Sequence, residues 1–209
     1  MAELIRPSTI LPAERSPITI LTRDGLKLIG EVATPLSGDR SNAILCFHPR
    51  PTHGGMMDSH IFKKAANRLP AMAEITVIRF NTRGTASDQG RSEGEFGNGV
   101  TEQADVVAAI DYAFDVLKVK NLWIVGWSFG TDLALQYATD SRIKGLILLS
   151  PPLLTPADAQ IRFKSLTTVD LIAVAGAKHL WVGEPFVHRV LSEIVKYVNP
   201  NKLPLATEY

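Results

Sequence analysis

One cysteine, Cys46, is all that 209 residues contain, so no internal disulfide can form and a fold of this length must rest on a hydrophobic core. Long apolar runs are missing too. The hydrophobic stretches are short, as in AILCF and LWIV, which excludes a membrane-spanning helix. Charge of one sign is not in excess: 22 Lys and Arg face 21 Asp and Glu, for a net charge of +1. No broad field therefore draws nucleic acid or an acidic lipid surface, and neither is expected as a partner. There is no internal repeat and no low-complexity tract. No GxxxxGK[ST] occurs, and no GxGxxG joins a strand to a helix, so the glycine-rich stretch from Gly84 to Gly99 is not a phosphate cradle. The opening MAELIRPSTILPAERSP is broken by prolines and charges and reads as neither signal peptide nor anchor, which makes the cytoplasm the expected compartment.

What is present is an alternation of short apolar runs and helical patterns. PITILTRDGLKLIGEVATP alternates apolar and polar residues around Asp24-Gly25, as a hairpin does. SNAILCFHP, ITVIRFNTRG, NLWIVGW and IKGLILLSPP read as buried strands. DSHIFKKAANRLPAMA, with Asp58 or Ser59 as N-cap, TEQADVVAAIDYAFDVL and TDLALQYATD read as the helices between them. VDLIAVAG is strand-like and FVHRVLSEIVKYV is amphipathic. Apolar strands this continuous have no wet face, so the expected class is α/β, a mostly parallel sheet flanked by helices with the hairpin at one edge. The boundaries expected are an N-terminal extension over 1–16, one domain over 17–199, and a C-terminal tail over 200–209 lying loosely on the surface.

GWSFG, residues 126–130, stands where the third buried run gives way to a helix. A serine at the apex of so sharp a turn takes a strained backbone conformation, and a side chain at Gly126 or Gly130 would collide with the neighbouring elements. The turn lifts the Ser128 hydroxyl above the sheet and points the Phe129 N–H at the same space, where it can stabilise an oxyanion. The plainer alternative is a serine capping TDLALQYA. A serine needs a base. Of the five histidines, His179 lies in the loop between the last apolar run and the last helix, where the base of a nucleophile–acid–histidine order falls. His188 lies inside the closing helix and reads as a packing or surface residue. HPRPTHGGMMD follows the ILCF strand, where a second oxyanion donor is required. Pro49 and Pro51 have no N–H, which leaves Arg50 as that donor. The His48, His53, His60 and Asp58 cluster matches no common zinc spacing. His48 is read instead as holding the loop by hydrogen bonds, and no metal or cofactor is expected.

These segments, with RFNTRGTASDQGRSEGEFGNGVTEQADVVAAIDY and AGAKHLWVG, resemble the α/β-hydrolase fold, in particular its small dienelactone-hydrolase-like, esterase-type group without a large lid. The resemblance spans most of residues 20–198. It implies Ser128 as nucleophile, His179 as base, the amides of Phe129 and Arg50 as oxyanion hole, and Arg83-Gly84 with the turn after it as support. It also implies a small-molecule substrate.

The pattern breaks where the third triad member belongs. Between Ser150 and Val169 stand eighteen residues, PPLLTPADAQIRFKSLTT. A helix, a strand and a second helix with their loops need roughly forty. These eighteen hold one helix, starting near Thr155-Pro156, and neither the strand nor its acid. Three explanations stand: a segment left out of the sequence as written, between Ser150 and Thr155; a chain that has lost it and its activity; or a substitute carboxylate, Asp158 or, second to it, Asp170. The first is favoured, because losing an interior strand exposes two unpaired edges. Met56, Met57, Trp127, Phe129 and Trp181 line a pocket or merely pack. Glu102, Asp105 and Asp132 suit the helix dipole in the first turns of their helices. Function then reads as a serine hydrolase of small esters or related acyl compounds, with a non-catalytic binding protein on a degenerate site as the alternative. Lyase, peptidase and acyltransferase chemistry, and the oligomeric state, stay open.

Overall fold

The computed structural model describes residues 8–152, 170 and 172–206. Strands β1 (Glu14–Leu21) and β2 (Lys27–Thr34) form the expected hairpin, antiparallel from Glu14↔Thr34 to Leu21↔Lys27. Its turn is closed by Gly25 N–H donating to the Thr22 carbonyl at 3.0 Å, while the Thr22 hydroxyl donates to Asp24 Oδ1 at 2.5 Å. β3 (Asn42–Phe47), β4 (Thr76–Phe80), β7 (Asn121–Trp127) and β8 (Ile143–Leu149) complete one sheet in the order β1-β2-β4-β3-β7-β8. β2 meets β4 antiparallel, and every later pairing is parallel. Two-residue strands β5 (Ala86–Ser87) and β6 (Gly90–Arg91) make a separate small ribbon that folds the glycine-rich stretch.

The continuous apolar runs serve two cores at once, because successive side chains leave opposite faces of a strand. From β3 and β4, Leu45, Phe47, Ile78 and Phe80 enter a core with α2 (Gln103–Asp111) and α3 (Phe129–Tyr137). Ile44, Cys46 and Val77 enter the other, with α1 (His60–Ala73) and α4 (Glu184–Val198). Cys46 is buried there as a free thiol, its pKa pushed up to about 12 by burial. α2 runs on into a π-helical turn over Tyr112–Val116.

β4 is buried at every residue, whereas β8 is buried only at Leu149. The reason is positional: among the described residues only β7 pairs with β8. The strand expected over VDLIAVAG is not formed at residues 170 or 172–176. Asp158 and the helix expected near Thr155-Pro156 lie outside the described residues. The last residues depart from expectation, since Leu205 is buried against the α1–α4 core instead of lying loose. No helix among the described residues is long and apolar enough to cross a membrane.

Candidate active site

β7 delivers Ser128 to the C-terminal edge of the sheet. Its backbone sits at φ 53°, ψ −118°, a region that non-glycine residues rarely adopt. Three bonds hold it there. Ser128 N–H donates to the Leu149 carbonyl at the end of β8 (2.9 Å), and the Ser128 carbonyl accepts the amide (2.8 Å) and the hydroxyl (2.6 Å) of Thr131. The serine side chain makes no capping bond to α3. Its oxygen lies instead 3.0 Å from His179 Nε2, across 51 residues of sequence. Ser128 is half-buried and His179 exposed, so solvent can reach both.

The flanking glycines are sterically required. A Cβ on Gly126 would lie 2.6 Å from the Gly130 carbonyl oxygen, and one on Gly130 would lie 2.0 Å from that of Phe47.

Phe129 begins α3, and Arg50 precedes the 3-10 turn Pro51–His53. Neither main-chain N–H donates to another described residue. Their side chains meet: the Arg50 guanidinium lies 5.6 Å from the centre of the Phe129 ring and 5.5 Å from that of Phe96, and it donates to Asn98 Oδ1 at 2.6 Å. Cation–π contact and this bond fix Arg50 on the rim of the elbow. The Phe129 side chain is buried, as is Met57, so packing is the larger part of what they do.

His48 holds the loop as expected. Its Nδ1–H donates to the Pro49 carbonyl (2.7 Å), and its Nε2 accepts the Thr82 amide (3.1 Å), tying the end of β3 to the segment after β4. Burial pushes its pKa down to about 4, so the ring is neutral. The rest of the histidine-rich cluster disperses. Asp58 pairs with Arg79 (2.8 Å), and among the described residues no three His, Cys, Asp or Glu side chains come together as a metal site. Asp58 therefore does not cap α1. Ser59 makes no capping bond either, and its hydroxyl accepts the Met56 amide.

Two acids placed at a helix start for electrostatic reasons do something more specific. Glu102 is fully buried and accepts the amides of Gly97 (2.7 Å) and Gly99 (2.8 Å), locking the loop that carries Phe96 and Asn98. Asp105 grips Arg83 by its main-chain amide (2.8 Å) and by its guanidinium (2.8 and 2.9 Å), and Arg83 reaches on to Asp24. Helix position alone concealed both, because their partners lie 3 to 22 residues upstream, in and around the glycine-rich segment.

Among the described residues no carboxylate meets His179 Nδ1. Asp170, one of the two candidates, accepts the hydroxyl of Tyr197 at 2.5 Å. Trp127 was legible only as pocket or packing. Its indole N–H donates to the main-chain carbonyl of His179 (3.1 Å), a partner that a buried indole calls for.

Residues 42–181 match the family model described as alpha/beta hydrolase fold. Among curated proteins, an uncharacterized protein of Rickettsia prowazekii (strain Madrid E) is 34% identical over 113 residues, which is 53% of this chain and 45% of that protein. The chain thus spans under half the length of that relative. Among solved structures, a lidless a/b serine hydrolase from Xanthomonas campestris superposes with a TM-score of 0.66 at 23% identity, covering 95% of this chain and all of that one. An alpha-beta serine hydrolase homologue from Coxiella burnetii gives 0.66 at 23% identity, over 89% of this chain and 96% of its own. At such identities the likeness is one of fold.

Proposed function

The chain belongs to the alpha/beta hydrolase fold family, and on that premise we propose that it is a serine hydrolase acting on a small ester or related acyl substrate through an acyl-enzyme. The observation that carries this reading is the 3.0 Å separation of Ser128 Oγ and His179 Nε2, at a serine held at φ 53°. Ser128 Oγ attacks the carbonyl carbon while His179 Nε2 takes its proton. The amides of Phe129 and Arg50 donate to the oxyanion that forms. His179 returns the proton to the departing alkoxide as the ester C–O bond breaks. Water then attacks the acyl-enzyme with His179 again as base, which frees the acid and restores the serine.

A fluorophosphonate probe tests the proposal directly. The wild type takes the label at one site and turns over p-nitrophenyl acetate, and Ser128→Ala does neither. An unlabelled wild type, or a Ser128→Ala variant labelled equally, refutes it.

A second reading rests on one specific observation. With no carboxylate at His179 Nδ1 among the described residues, the site serves as a degenerate pocket that binds a small molecule without turning it over. A panel of p-nitrophenyl esters hydrolysed no faster by the wild type than by Ser128→Ala supports that reading over the first.

A further inference from the structure

The acid of a serine triad orients the imidazole and stabilises its charged form. Among the described residues, the loop that carries His179 is held by other contacts. Trp127 Nε1–H donates to the His179 carbonyl (3.1 Å), and His60 Nε2 lies 2.5 Å from the carbonyl of the next residue, Leu180. Trp181 Nε1–H donates to Ser150 Oγ (3.0 Å). Just beyond the loop, Lys64 and Arg68 both engage Glu184 at the start of α4, Arg68 at 2.9 Å. His60, Lys64 and Arg68 are spaced four apart, so they form one polar stripe along α1 facing this segment. The loop backbone is not relaxed: Trp181 sits at φ 52°. An aromatic residue persists in that conformation only when its surroundings over-determine it.

His60 is the member of the stripe closest to the chemistry. Its ring packs edge-on against Trp127, with centroids 5.4 Å apart at 88°, so it touches the residue preceding the nucleophile and the residue following the base. A carbonyl can only accept, so the His60 proton is on Nε2. Among the described residues its buried Nδ1 has no hydrogen-bond partner, which leaves a second proton with no acceptor there. Burial accordingly lowers its pKa.

We propose that His60 is a positioning residue for His179: by donating from Nε2 to the Leu180 carbonyl while wedged on Trp127, it sets the distance between the imidazole of residue 179 and the hydroxyl of residue 128. The role rests on the serine-hydrolase reading for its effect on rate, but not for its effect on geometry.

The experiment compares His60→Phe, which keeps a ring on Trp127 and loses the donor, with His60→Gln, whose amide restores one. Each is measured for kcat and KM on p-nitrophenyl acetate, for the rate of fluorophosphonate labelling, and for the ring nitrogen and proton resonances of His179. His60→Phe is expected to lower kcat and the labelling rate about 10- to 100-fold, as displacement of a catalytic group by an ångström does. KM stays within about twofold of wild type, and His60→Gln recovers most of the loss. The His179 resonances shift or broaden in His60→Phe and return in His60→Gln. Unchanged kcat and unchanged resonances in His60→Phe overturn the proposal, as does a loss shared equally by both variants with KM raised. Should His60→Phe not fold, His60→Leu, which also lacks the donor to the Leu180 carbonyl, is judged by the same readings. A wild type that the probe does not label counts against the serine-hydrolase reading alone, because the resonances still report whether His60 places the ring.

Discussion

Gly130 and Phe47 meet through their main chains. A Cβ on Gly130 would lie 2.0 Å from the Phe47 carbonyl oxygen and 2.9 Å from that of His48. This contact joins the first turn of α3 to the end of β3, which brings the elbow of Ser128 alongside the loop that carries Arg50. Gly130 is not among the residues with positive φ, so its torsions suit any residue and only the space forbids a side chain.

Gly130→Ala is therefore a clean steric probe. Backbone lies on the receiving side and cannot rotate away, so the collision is expected to destabilise the fold by about 3 kcal/mol or more and to abolish labelling of Ser128. Thermal melting and probe labelling check both. A variant with wild-type Tm and labelling would show that α3 can move off β3 freely.

Arg83 is buried between Asp105, which is fully buried, and Asp24, which is half-exposed. Arg83→Met is expected to cost about 3–5 kcal/mol, because it leaves the Asp105 carboxylate buried beside an apolar chain. Replacing both, as Arg83→Met with Asp105→Leu, removes the stranded charge and should recover much of the loss. Urea unfolding of the single and double variants measures this; equal losses in the two would place the effect in packing instead of charge.

His48 predicts a pH dependence whose sign follows from its pKa. Burial holds it at about 4 in the fold, against an ordinary value of 6.5. Between those values the unfolded chain binds more protons than the folded one, so stability rises with pH across that window and falls as the medium is acidified from about 6.5 toward 4. The share due to His48 is on the order of 3 kcal/mol. His60 shifts in the same direction, so the wild-type slope contains both. Urea unfolding across pH 4 to 7 should show a shallower slope in His48→Gln; an identical slope would remove His48 as its source.

The strands that the sequence displays most plainly are those buried on both faces. NAILCF, TVIRF and NLWIVGW have apolar residues for two cores and so cannot be mistaken for half-wet strands. The turn at GWSFG was equally legible, because small residues flank a serine where an apolar run gives way to a helical pattern. What lay hidden depends on contacts distant in sequence. His60 lies 120 positions from its carbonyl partner, and Glu102 and Asp105 looked like ordinary first-turn acids until the glycine-rich segment folded onto them. VDLIAVAG has the composition of a strand, yet residues 170 and 172–176 form none. Composition permits a strand, but only backbone pairing with a neighbouring strand makes one, and these residues make none.

The torsion of Ser128 has one more implication. At φ 53° a glycine would rest more comfortably, and Ser128→Gly would give a protein that tolerates heat better while being unable to attack anything. On the serine-hydrolase reading proposed above, reactivity and endurance are thus opposed at a single position, and a search for hardier variants that ignores function would be drawn to the apex of the turn first.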